Sequence, residues 1–102
     1  MSLKKQYVKK DQACKVTFRV PRKAAMGAKS ISVVGDFNNW SIRDNPMQKL
    51  KSGDFKTTIN LEPDRQYQFR YLIDEQTWEN DWEADHYVRS DFGNCDNSVV
   101  VV

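Results

Sequence analysis

Three runs in this chain alternate between largely apolar and largely polar positions. Cys14, Val16, Phe18 and Val20 are interleaved with Lys15, Thr17 and Arg19; Phe55, Thr57, Ile59 and Leu61 with Lys56, Thr58 and Asn60; Tyr67, Phe69, Tyr71 and Ile73 with Gln68, Arg70 and Leu72. A period of two sends successive side chains to opposite faces of an extended chain, so each run reads as a strand with one buried face. Pro21 stops the first run. Lys51-Ser52-Gly53-Asp54 reads as a hairpin turn joining a short strand at Met47 to Leu50 with the second run, and Glu62-Pro63-Asp64 turns the chain into the third. Ser30 to Val34 and Ser98 to Val102 read as further strands, with two weaker ones around Trp78 and from Tyr87 to Arg89. The AAM stretch of residues 21–29 is too short for a stable helix and reads as a loop or single turn. Gly35 to Asn45, rich in Gly, Asp, Asn and Ser, reads as a long ordered loop. The pattern predicts an all-β fold, an antiparallel β-sandwich of about 7–8 strands.

With 102 residues the chain is one domain, too short for a catalytic barrel. Residues 1–12, with four lysines, are expected to be a basic arm or an edge strand, and residues 13–102 the sandwich. No apolar run is long enough to span a membrane, and the first residues lack the apolar stretch of a secretory signal, so a cytoplasmic address is expected. Cys14 and Cys95 form no CxxC pair, which argues against zinc and, in that compartment, for free thiols. The glycosylation-like Asn39-Trp40-Ser41 then has no chemical meaning. No metal or cofactor is expected.

The net charge of +2 conceals an asymmetry: residues 1–29 carry +8 and residues 74–96 carry −7. A nucleic-acid binder would need a basic face without so concentrated a counterweight, so the charges read as adjacent segments or as opposite solvated surfaces. His86 is the only histidine and has no nucleophile elbow beside it, so it reads as a surface residue. Asp81, Glu83 and Asp85 alternate and would share a face of a strand. They lack the ligand pattern of a calcium loop, and a hydrolase using Asp81 and Glu83 would need a cleft that so small a domain rarely builds. The chain is therefore expected not to be an enzyme.

The aromatic residues are more informative. Phe18, Phe55, Tyr67, Phe69 and Tyr71 fit the core, whereas Trp40 and Trp78 lie in or beside polar, turn-rich sequence. An indole on a loop offers a flat apolar surface to the C–H face of a sugar ring, while neighbouring polar side chains bond its hydroxyls; ordinary packing of the two indoles is the alternative. Val34-Gly35-Asp36-Phe37-Asn38-Asn39-Trp40 resembles the G-x-F-N-x-W signature of family-48 carbohydrate-binding modules, which include glycogen-binding domains of AMP-activated kinase β subunits and the early-set domains of branching enzymes and isoamylases. The resemblance continues through Gln68 to Asp74, Trp78 and Phe92 to Asn97, and covers roughly residues 13–102.

This resemblance implies an immunoglobulin-like early-set sandwich and an α-glucan ligand of the glycogen or starch type. The family's stacking tryptophans fall on Trp40 and Trp78, and its basic hydrogen-bonding residue on Arg70. Its leucine, threonine and asparagine contacts fall on Phe92, Asn94 and Asp96, three departures from the pattern; Asp96 replaces an amide with an acceptor-only carboxylate. Non-catalytic α-1,4-glucan binding by a monomer or weak dimer is thus expected. The alternative is a protein-interaction module that docks on a separate glycogen-metabolising enzyme or associates with itself, using the basic arm or a Val99 to Val102 edge.

Overall fold

The computed structural model describes residues 3–10, 12–25, 27–90 and 95–102. The three alternating runs become β2 (Ala13–Val20), β5 (Phe55–Leu61) and β6 (Gln66–Ile73). The remaining strands are β1 (Leu3–Val8), β3 (Ile31–Gly35), β4 (Gln48–Lys49), β7 (Thr77–Glu79), β8 (His86–Arg89) and β9 (Asp96–Val101). Nine strands are thus present among the described residues, slightly more than the alternation suggests, because β4 and β7 are fragments of 2 and 3 residues. A single helical turn, α1 (Arg22–Ala25), follows Pro21.

The strands form two antiparallel sheets, ordered β1-β2-β5-β4 and β3-β6-β9-β8, with β7 pairing β6 beyond the end of β9. Facing side chains fill the space between the sheets, giving a β-sandwich. Val16, Phe18 and Val20 from the first sheet meet Val33, Phe69, Tyr71 and Val100 from the second, all essentially without solvent contact. Phe18 and Phe69 pack edge to face with centroids 5.0 Å apart, and Phe69 and Tyr71 do so at 5.7 Å. Residues 45–47 tie the sheets together along one side: Asn45 accepts the Val33 N–H, Met47 donates to Ile31, and the chain then pairs with β5 as β4. On the other side the Lys5 ammonium reaches the Asp85 carboxylate at 2.6 Å, so part of the basic first third lies against part of the acidic last third.

The three acids with alternate spacing are separated by this packing. Asp81 is buried and accepts hydrogen bonds from the Tyr71 hydroxyl at 2.5 Å and the Glu83 N–H at 2.8 Å. Burial first, then the Asp81 charge, pushes the Tyr71 hydroxyl well above its ordinary pKa. Asp85 serves Lys5 and the Val101 N–H instead. Among the described residues, no three His, Cys, Asp or Glu side chains are grouped to hold a metal ion, and no helix is long and apolar enough to cross a membrane. Cys14 is buried on β2, Cys95 is exposed, and they are not bonded to each other.

The run of valines is not an open edge. β9 pairs with β6 on one side and β8 on the other, and Asp85 takes over where β8 ends, bonding Val99 and Val101. The adhesive-edge role considered for Val99 to Val102 is thereby removed.

Candidate functional site

A groove of about 510 Å3 lies on the outer face of the second sheet. This is the size of a cleft for a small or oligomeric ligand. Its floor is the polar parity of β6: Gln68 and Arg70 face outward because Tyr67, Phe69 and Tyr71 face the core. Trp40 and Ile42 contribute from the loop after β3, Trp78 from β7, Cys95 from just before β9 and Asn97 from β9 itself.

The motif residues before Trp40 each have a structural task. Gly35 ends β3 so close to β6 that a Cβ would fall on the Gln68 carbonyl oxygen and 2.7 Å from the Phe69 Cβ, which leaves only glycine room. Phe37, in the 3-10 turn Asp36–Asn38, packs into the core with its ring 5.6 Å from that of Phe18. Asn38 uses both ends of its amide: the oxygen accepts the Gly35 and Ser41 N–H groups, and the nitrogen donates to Val33 and Asn45. The loop is thereby closed on itself.

Asn39 and Trp40 both adopt left-handed backbone angles, φ 56° and 57°. Asparagine tolerates this region, but for tryptophan it is uncommon and strained. Two hydrogen bonds hold the residue there, from the Trp40 N–H to the Gly35 carbonyl at 2.9 Å and from the indole Nε1–H to Asp36 Oδ1 at 2.9 Å. The other Asp36 oxygen accepts the Gln68 N–H at 2.8 Å, so one carboxylate fixes the indole to the groove floor. Sustained strain of this kind is characteristic of residues aimed for a task.

The floor is also preorganised. Arg70 donates from Nε to Asn97 Oδ1 at 2.6 Å and from Nη2 to Cys95 Sγ at 2.7 Å, and Asn97 donates in turn to Gln68 Oε1 at 2.9 Å. The guanidinium has five N–H donors, so these contacts set its plane while leaving donors for a ligand. Trp78 lies opposite Leu72 on β6 and is 43% exposed, compared with 36% for Trp40.

Trp40, Arg70 and Trp78 are thus brought to one groove. Asp96 is not among its lining: it lies opposite Arg89 in the β8–β9 ladder, and its carboxylate is 3.9 Å from that guanidinium. The neighbouring amide, Asn97, is the groove residue, since it shares outward parity with Gln68 and Arg70. Phe92 and Asn94 lie outside the described residues. The sequence reading also passed over Asp36, Gln68, Ile42 and Cys95. The outward parity of Gln68 was visible in the alternation, but no comparable signal marked the other three.

Against known families, the description of the glycogen recognition site of AMP-activated protein kinase matches residues 23–102. The chain belongs to this family. A search of curated proteins returned no significant match. For a glycogen-recognition domain the arrangement is chemically apt, with two indole faces beside a fixed guanidinium and two amides. The matched region contains the whole groove and leaves β1 and β2 outside it.

Proposed function

We propose that this domain binds α-1,4-linked glucan of the glycogen or starch type without catalysing a reaction on it. The observation that carries the proposal is the meeting of Trp40, Trp78 and Arg70 in one preorganised groove within the family match. Sugar rings lie against the two indoles, and Arg70 and Asn97 meet hydroxyls; Phe92 and Asn94 are ligand contacts on the strength of the family resemblance alone. Cys14 and Cys95, both unpaired, suit a reducing cytoplasmic setting. The groove is shallow and displaces many waters, so the expected free energy is about −4 to −7 kcal/mol, or about 1 mM to 10 µM.

Calorimetric and tryptophan-fluorescence titration with maltoheptaose and β-cyclodextrin tests this reading, with cellohexaose as the control for linkage. Saturable binding of the α-glucans alone is expected. Equal binding of cellohexaose, or no binding of any sugar at millimolar concentration, refutes it.

A further inference from the structure

The opposite face of the sandwich has a composition that glucan binding does not use. None of the four strands of the first sheet contains an aspartate or glutamate. Their outward parity presents Lys4 and Gln6 from β1, Lys15, Thr17 and Arg19 from β2, and Lys56, Thr58 and Asn60 from β5. Arg19 and Lys56 are direct cross-strand partners, an arrangement of like charges that destabilises a sheet. One carboxylate reaches this face: Asp54, from the hairpin turn, pairs with Arg19 at 2.6 Å. Among the described residues, Lys4, Lys15 and Lys56 have no carboxylate within ion-pairing distance.

We infer that the outer face of the β1-β2-β5-β4 sheet is a docking surface for a carboxylate-rich patch on another protein. Strands about 4.8 Å apart with outward residues about 6.8 Å apart along each strand lay these cations out as a shallow grid. Between them stand hydroxyl and amide groups, including the Thr17–Thr58 pair at 3.0 Å. Among the described strand residues the apolar side chains of outward parity are Ala13 and the half-buried Val8 at one end, neither an aromatic ring of the kind that enters a bilayer interface or stacks on nucleobases; Tyr7 of the edge strand is exposed but has the opposite parity. Flexible ammonium groups among hydrogen-bonding neighbours suit glutamate and aspartate side chains on a protein surface. The inference does not rest on the glucan reading. The groove occupies the other sheet, so both faces can be engaged together and the domain can join a glucan to an acidic protein.

The test uses the full chain and poly-L-glutamate as the probe, in a fluorescence-anisotropy titration at low and at physiological salt. Binding is expected to weaken steeply with salt. Lys15→Glu with Lys56→Glu is expected to weaken it at least about ten-fold, while Lys23→Glu with Lys29→Glu, an equal change in net charge placed off the sheet, weakens it less than about three-fold. Maltoheptaose affinity should be unchanged in both. Should the first pair prevent folding, Lys15→Gln with Lys56→Gln is expected to weaken binding about three-fold. Equal losses from the two charge-reversing pairs overturn the inference. So does no binding of poly-L-glutamate at low salt, no loss in the neutral pair, or tighter binding of phosphatidylserine vesicles or oligothymidylate.

Discussion

Replacing Trp78 by alanine removes the more exposed of the two groove indoles while disturbing the fold least. A tryptophan side chain presents about 250 Å2, so the 43% that is exposed amounts to about 110 Å2 available to a ligand. Covering all of it at about 25 cal/mol per Å2 contributes about 2.7 kcal/mol, and covering one face contributes about half that. Trp78→Ala should therefore weaken maltoheptaose binding between about 10-fold and about 100-fold. Trp78→Phe, which keeps a smaller ring, should fall between the variant and the native chain. Retardation in native gels containing glycogen reads losses too large for calorimetry, and thermal melting checks that the fold persists. A loss below about two-fold in a folded Trp78→Ala variant would refute the assignment of this indole to the ligand.

Asp36→Ala removes the acceptor that orients Trp40 and should weaken binding about 3-fold to 10-fold, with Asp36→Asn restoring part of it; the Trp40 contribution to fluorescence quenching by sugar reports the cause. Gly35→Ala forces a Cβ into the β6 backbone and should lower stability by about 1–3 kcal/mol in urea unfolding, a loss that a neutral result would disprove. Asp74 accepts the N–H groups of Ser30 and Lys29, which hold its carboxyl below the ordinary range. A depressed folded pKa stabilises above the unfolded value of about 3.9 and ceases to do so as pH falls through the folded value. Asp74→Asn should thus unfold at lower urea than the native chain at neutral pH, and the two midpoints should converge below about pH 4; a gap that widens on acidification contradicts the assignment.

The strands with one buried face could be read from the sequence because burial imposes a period of two, and β2, β5 and β6 fall within a residue of their alternating runs. β7 and β8 were weak signals because they are short and mostly exposed, so no apolar face marks them. Trp40 and Trp78 stood out for the converse reason, as large apolar groups in polar surroundings. Asp96 was singled out through the family resemblance; that Asn97 rather than Asp96 lines the groove follows from the register of β9 with β6, which is fixed by packing across the sheet. Asp36 was invisible because its task, joining an indole to the backbone of a strand 32 residues away, exists only once the chain has folded.

β6 writes two texts in one line of eight residues, with odd positions composing the interior and two of the even ones, Gln68 and Arg70, the groove. Substitution at Gln68 or Arg70 can therefore retune what the groove accepts while the interior keeps every atom it needs. Insertion or deletion of one residue in the same strand has no such freedom, since it would exchange the two texts and send Phe69 outward as Arg70 turned in. Variation in this family of domains should accordingly be generous in the spelling of the two groove positions and intolerant of any change in the length of the strand.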